Sequence, residues 1–251
     1  VNLGHKDPAL YNNRGKLFYD MENYAEALKD FNTALTSNKE YVAAYQNRGN
    51  LFIKTKKYDE AAKDYRMVEK LTQKPDPELY RSLADAYYSG NNYVAANEYL
   101  DKVIAAGIKD KTIYYRRGRV HLEQEMYREA IKDYDEAQKA GENTPQLFAD
   151  KAKAYLGLDD TKSAVNELNS AVNLDPKNPD NYFNRALIKE EIEDFEGAIL
   201  DYNRVIQLNP DDALAYYNRA TCKANNEDAG AAISDLDEAI RIDPKNAAYY
   251  K

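Results

Sequence analysis

Tryptophan is absent from this chain, and cysteine occurs once, as Cys222. A lone thiol excludes an internal disulfide. It also leaves the compartment open, since a reducing cytoplasm and a disulfide-free periplasm both accommodate it. No apolar run approaches the ~18 residues that a membrane span requires, so no span is expected in this segment. The chain starts at Val1 without a secretory segment, which places any targeting peptide outside this sequence. Histidine is almost missing: His5 and His121 lie more than a hundred residues apart. There is no HExxH, no CxxC and no glycine-rich phosphate loop after a strand. A catalytic centre, a metal site and a bound cofactor are therefore not expected. The net charge of -8 argues against a nucleic-acid partner, because phosphate backbones are held by clustered Lys and Arg.

Tyrosine, by contrast, is abundant, with 23 residues against 6 phenylalanines. The stretch Ala44 to Tyr65 shows how it is used. Tyr45, Gly49 and Phe52 fall on one face of a helix, and after the polar break Lys54 to Lys57, Tyr58, Ala61 and Tyr65 fall on one face of a second. Neither helix is apolar enough all round to bury itself, so this hairpin needs a neighbour on each side. The chain supplies them with a period of 34 residues, once 35. The repeats are expected at 8–41, 42–76, 77–110, 111–144, 145–178, 179–212 and 213–246, in one array spanning 1–251. Residues 1–7 match the tail of a preceding second helix, and 247–251 match the start of a further first helix.

Within each repeat the fourth position is Tyr or Phe and the eighth is Gly or Ala. The twentieth is alanine throughout: Ala27, Ala61, Ala96, Ala130, Ala164, Ala198 and Ala232. Small residues at fixed places let two helices approach closely, and larger ones would overpack the contact at ~1–3 kcal/mol. The seventh position carries Arg14, Arg48, Arg117, Lys151, Arg185 and Arg219, and the twenty-third Asp30, Asp64, Asp133, Glu167, Asp201 and Asp235. The third repeat replaces both, with Leu83 and Tyr99. Joint loss predicts an ion pair between a first and a second helix. His121 stands where four other repeats have Phe or Tyr, and Cys222 where others have Leu or Ile, so both are expected in the core.

This pattern resembles the tetratricopeptide repeat, a 34-residue helix-turn-helix unit with an aromatic, a glycine, alanines and a closing proline at set places. The closing proline is present in Asp175-Pro176, Asn209-Pro210 and Asp243-Pro244, while Gly107 and Gly141 sit where C-cap glycines would. The resemblance implies an all-α, right-handed superhelical solenoid of antiparallel helix pairs. It further implies a protein-protein interaction scaffold without catalysis, whose first helices line a concave groove for an extended peptide or partner protein. The alternative is a structural element that self-associates through repeat ends or edges. On the family's lining positions, the groove residues are Asn12, Lys16, Tyr19, Asn47, Asn50, Arg81, Asp85, Tyr88, Tyr115, Arg116, Arg119, Lys153, Phe183, Asn184, Tyr217 and Asn218. Asn and Arg suit the N–H and C=O groups of an extended backbone, and aromatics supply anchors. No window carries the family's chaperone carboxylate clamp; starting at the fifth repeat gives Ala149, Lys153, Asn184, Leu214 and Asn218. Arg81, Arg116, Arg119 and Lys153 make the middle of the groove its most basic part and point to an acidic or carbonyl-rich segment at repeats three to five.

Overall fold

The computed structural model describes residues 7–246, all of whose regular structure is helical. The matches made for residues 1–6 and 247–251 lie outside the described residues. Fourteen helices occur among those described. They are α1 (Pro8–Asp20), α2 (Tyr24–Ser37), α3 (Val42–Lys54), α4 (Tyr58–Leu71), α5 (Pro77–Ser89), α6 (Tyr93–Ala105), α7 (Lys111–Glu123), α8 (Tyr127–Lys139), α9 (Pro145–Leu156), α10 (Thr161–Leu174), α11 (Pro179–Glu191), α12 (Phe195–Leu208), α13 (Ala213–Asn225) and α14 (Ala229–Ile242). The chain divides into two units at Gln124–Glu125. The first holds the hairpins α1/α2, α3/α4 and α5/α6 together with α7; the second holds α8 and the hairpins α9/α10, α11/α12 and α13/α14. Within each unit every second helix also packs on the next first helix.

Local chemistry sets the helix ends. Asp7, Asp76 and Asn178 cap α1, α5 and α11 by accepting from the second helical N–H, and a proline opens each of these helices. The missing proline N–H would have been an orphan there in any case. Pro77, the first residue of the third repeat, thus starts α5. α10, α12 and α14 stop one residue before Asp175-Pro176, Asn209-Pro210 and Asp243-Pro244, since proline cannot continue a helix. At Gly107 and Gly141 φ is 91° and 94°. The Gly107 N–H bonds to Ile104 O and the Ile108 N–H to Val103 O, which is a Schellman closure that needs a left-handed residue. The turns after α1, α3, α5, α9, α11 and α13 close in the same way with no glycine at the left-handed position. Glu22, Lys56, Asn91, Glu125, Asp159, Glu193 and Glu227 all have φ between 58° and 63°.

The small residues work by close approach. A Cβ at Gly15 would lie 2.8 Å from the Phe31 ring, and one at Gly49 would lie 2.6 Å from the Tyr65 ring. The alanines at position twenty are buried in every repeat. His121 and Cys222 are buried as well.

The ion pairs form inside the hairpins. Arg14 Nε reaches Asp30 at 2.6 Å, Arg48 Nη2 reaches Asp64 at 2.7 Å, Lys151 reaches Glu167 at 2.9 Å and Arg219 reaches Asp235 at 2.6 Å; Arg185 pairs with Asp201. The guanidinium does a second job that the sequence reading did not foresee. Arg48 Nη1 donates to Asn32, Arg185 Nη1 to Asn169 and Arg219 Nη1 to Asn203, each sixteen residues back on the preceding second helix. One side chain thus ties three helices. In the third repeat the Tyr99 ring lies 6.2 Å from Tyr80 and 5.6 Å from Tyr87. Those rings are the counterparts of Tyr45 and Phe52, which flank the Arg48 guanidinium at 5.7 and 5.8 Å. An aromatic ring has taken the place of the cation, which explains why both charges disappear together.

Candidate interaction surface

The first helices of the first unit hold eleven of the expected groove residues, and five of them come together. Asp85 and Tyr88 of α5 and Tyr115, Arg116 and Arg119 of α7, with Ile53 of α3, line a cleft of about 530 Å³. These five side chains are half-buried. The Arg119 guanidinium lies 5.6 Å over the Tyr88 ring, and Arg116 is ion-paired with Asp85. Burial, and then the neighbouring Arg81, lower the Arg116 pKa, so a cation is held there against desolvation and repulsion. Arg81 itself pairs with Asp110. The basic character read from the sequence is therefore largely matched by the protein's own carboxylates.

The remaining residues of this face divide by what holds them. Asn12 is buried and its side-chain oxygen accepts from Asn47 Nδ2 at 2.8 Å, so this pair joins α1 to α3. Asn50 accepts from the Tyr65 hydroxyl at 2.7 Å. Tyr19 packs on Tyr24, and burial raises its phenol pKa. Lys16 is exposed.

In the second unit Phe183 packs edge-to-face on Tyr202 with centroids 5.6 Å apart, and Asn218 Nδ2 donates to the Tyr202 hydroxyl at 3.3 Å. Tyr217 is half-buried against Ala213 and Ala239. Lys153 and Asn184 border a separate apolar pocket of about 160 Å³ between α9 and α11, together with Ala149, Leu156 and Leu187. The sequence reading did not select Ala149. Its signal was available, because the fifth position is Asn, Gln, Arg, Tyr or Phe in the other repeats.

Groups that could do chemistry are set in packing. The Cys222 thiol donates to Glu190 at 2.9 Å, and burial pushes its pKa up, which keeps it a thiol. No group of three His, Cys, Asp or Glu that could hold a metal occurs among the described residues. No helix among them is long and apolar enough to cross a membrane.

Hairpins repeating at a fixed period, with constant spacing of small residues and inter-helix ion pairs, define an all-α helical-repeat protein of the scaffold class. The family model described as tetratricopeptide repeat matches residues 12–76 and 81–147, a second of that description matches 145–178 and 213–246, and one described as TPR repeat matches 191–221. The chain belongs to the tetratricopeptide repeat family, whose fold is generally that of non-catalytic scaffolds for protein interaction. No curated protein matches it in sequence. Among solved structures, the C-terminal part of a TPR repeat-containing protein from Cytophaga hutchinsonii is 18% identical. It has a TM-score of 0.81, over 95% of this chain and 97% of that one. A tetratricopeptide repeat protein from Parabacteroides merdae is 16% identical with a TM-score of 0.65, over 97% and 96%. YrrB, described as a TPR protein with an unusual peptide-binding site, is 24% identical with a TM-score of 0.51, over 88% and 95%. At these identities the likeness is one of fold.

Proposed function

We propose that this chain is an interaction scaffold that binds an extended peptide or partner protein on the face made by its first helices, without catalysis. The observation that supports it most is the cleft bordered by Tyr88, Tyr115, Arg116 and Arg119. Two tyrosines and two arginines stand half-buried there, and these residue types dominate binding hot spots. Arginine and tyrosine donors in such a cleft suit a partner that presents backbone carbonyls. Peptide binding in YrrB is consistent with such a role. Affinity capture from native lysate, comparing wild type with the Tyr115→Ala/Arg119→Glu variant, tests it. A protein retained by wild type and lost from the variant supports the reading; one retained equally by both overturns it.

Self-association is the second reading, favoured by α1. Leu10 and Leu17 are 68% and 64% exposed, although their counterparts Ala44 and Leu51 are buried. Sedimentation velocity over a range of concentrations decides this: a concentration-independent monomer removes it.

A further inference from the structure

The apolar pocket between α9 and α11 has a definite origin in the repeat. In the sixth repeat the fifth-position side chain, Phe183, meets the twenty-fourth-position ring, Tyr202, at 5.6 Å. The equivalent residues of the fifth repeat are Ala149 and Leu168, and both line the pocket. Two rings are thus replaced by a methyl and an isobutyl group, and the space they vacate is open on the first-helix face. Leu187 stands at its mouth, 41% exposed, at a position that is polar or charged in every other repeat.

We infer that this pocket takes one branched aliphatic side chain of an extended partner segment, whose backbone amide is met by the Asn184 carboxamide. The inference rests on the interaction reading above and names a partner feature for it. Size decides the kind of occupant: about 160 Å³ is well below the ~300 Å³ at which sites for whole small molecules begin. Lining decides the chemistry, since Ala149, Ala152, Leu156, Leu168 and Ile188 offer no buried polar partner, so a polar side chain would enter at a desolvation cost. Charge decides the flanks. Lys153 on α9 and Glu191 on α11 border the pocket from opposite sides. The bound segment therefore carries an acidic residue toward α9 and a basic one toward α11. Asn184 has no hydrogen-bonding side-chain partner among the described residues and can both donate and accept.

The experiment is selection of phage-displayed random linear peptides on the wild-type chain, followed by affinity measurement of the enriched peptides on wild type, Ala149→Phe and Leu187→Asn. Both substitutions import residue types that other repeats already carry at those positions, Phe183 and Asn50, and thermal unfolding confirms that each variant folds. The expected result is enrichment of peptides sharing one Leu, Ile or Val, with binding about tenfold weaker or more in both variants. Enriched peptides that lack an aliphatic residue, or that bind wild type and variants equally, overturn the pocket and leave the wider reading standing. A selection that enriches no peptide overturns both.

Discussion

Consider the exchange of the Arg48–Asp64 pair for the Leu and Tyr of the third repeat. In the wild type the Asp64 side chain is 6% exposed and that of Arg48 is 21% exposed, and the guanidinium grips the carboxylate through Nε and Nη2 at 2.7 Å each. Arg48→Leu leaves a buried carboxylate without its cation and also removes the bond to Asn32. Breaking a fully buried pair costs about 3–5 kcal/mol, and the partial exposure of Arg48 places this one near the lower end, about 3 kcal/mol. Asp64→Tyr alone strands the cation and is expected to cost about 2–3 kcal/mol. The double variant is different. The introduced tyrosine ring would enter between Tyr45 and Phe52, as Tyr99 sits between Tyr80 and Tyr87, and the introduced leucine would reproduce the fully buried Leu83. Its loss is expected to be about 1 kcal/mol or less, so the two substitutions couple by several kcal/mol. A double-mutant cycle by urea denaturation, followed by far-UV circular dichroism, measures this; urea avoids the salt that guanidinium would add. Losses that simply add would refute the argument that ring and guanidinium are interchangeable occupants of one slot.

The turns, the caps and one titrating group supply further tests. The left-handed residues of the first-to-second-helix turns each hold a strained backbone worth ~1–2 kcal/mol, offset by the ~0.4–1 kcal/mol that glycine adds to unfolded-chain entropy. The triple variant Glu22→Gly/Glu193→Gly/Glu227→Gly should therefore melt a few degrees higher by differential scanning calorimetry, and an unchanged or lower melting temperature counts against it. Gly107→Ala forces a Cβ into φ of 91° and should destabilise by about 1 kcal/mol; because nothing else lies within 4 Å of that Cβ, the cause is local backbone strain and not a clash with another part of the chain. At Asp235 burial opposes ionisation, but hydrogen bonds from Arg219 and Lys223 outweigh it and hold the carboxyl below its ordinary value. A depressed folded pKa contributes stability that is fully present above the unfolded value of about 3.9 and is lost as pH falls through the folded one. The urea midpoint should thus fall on acidification below about pH 4, and Asp235→Asn should flatten that acid limb while lowering stability at pH 7.

What could be read from the sequence was whatever recurs. A position that is alanine seven times, or Arg and Asp lost together at Leu83 and Tyr99, reports a contact that recurs along the array, so the ion pairs and the buried His121 and Cys222 followed from spacing alone. The second bond of each arginine was missed because its acceptor is Asn32, Asn169 or Asn203 in some repeats and Asp101 in another, and this chemical variation hides a constant geometry. The turn residues were missed for the opposite reason. Glutamate and aspartate at φ near 60° look like ordinary polar turn residues, and only the Schellman hydrogen bonds reveal the strain. On the first-helix face, periodicity assigns a side without saying whether a neighbour uses the residue. Asn12 and Asn47 share a face with Lys16, yet the two amides bond to each other across 35 residues.

The same reasoning explains why recognition in such a fold collects at departures from the repeat. Every position that matches its counterparts is committed to the contact that they make, as Gly49 is to the Tyr65 ring. Where one repeat withholds a side chain, its partner's surface is uncovered at no cost to the neighbours, because each repeat packs mainly on the ones beside it. Ala149 does this beside Leu168. Next to Leu168 no ring closes the space, whereas in the sixth repeat Phe183 and Tyr202 meet there. Leu187, apolar where the other repeats are polar, then sits beside the gap instead of beside water-facing groups. Two departures, Ala149 and Leu187, converge on one 160 Å³ space beside Leu168, at a position that leucine also holds in the third and seventh repeats; apolar surface left uncovered in this way carries a penalty. The penalty is recovered when a partner's side chain fills the space.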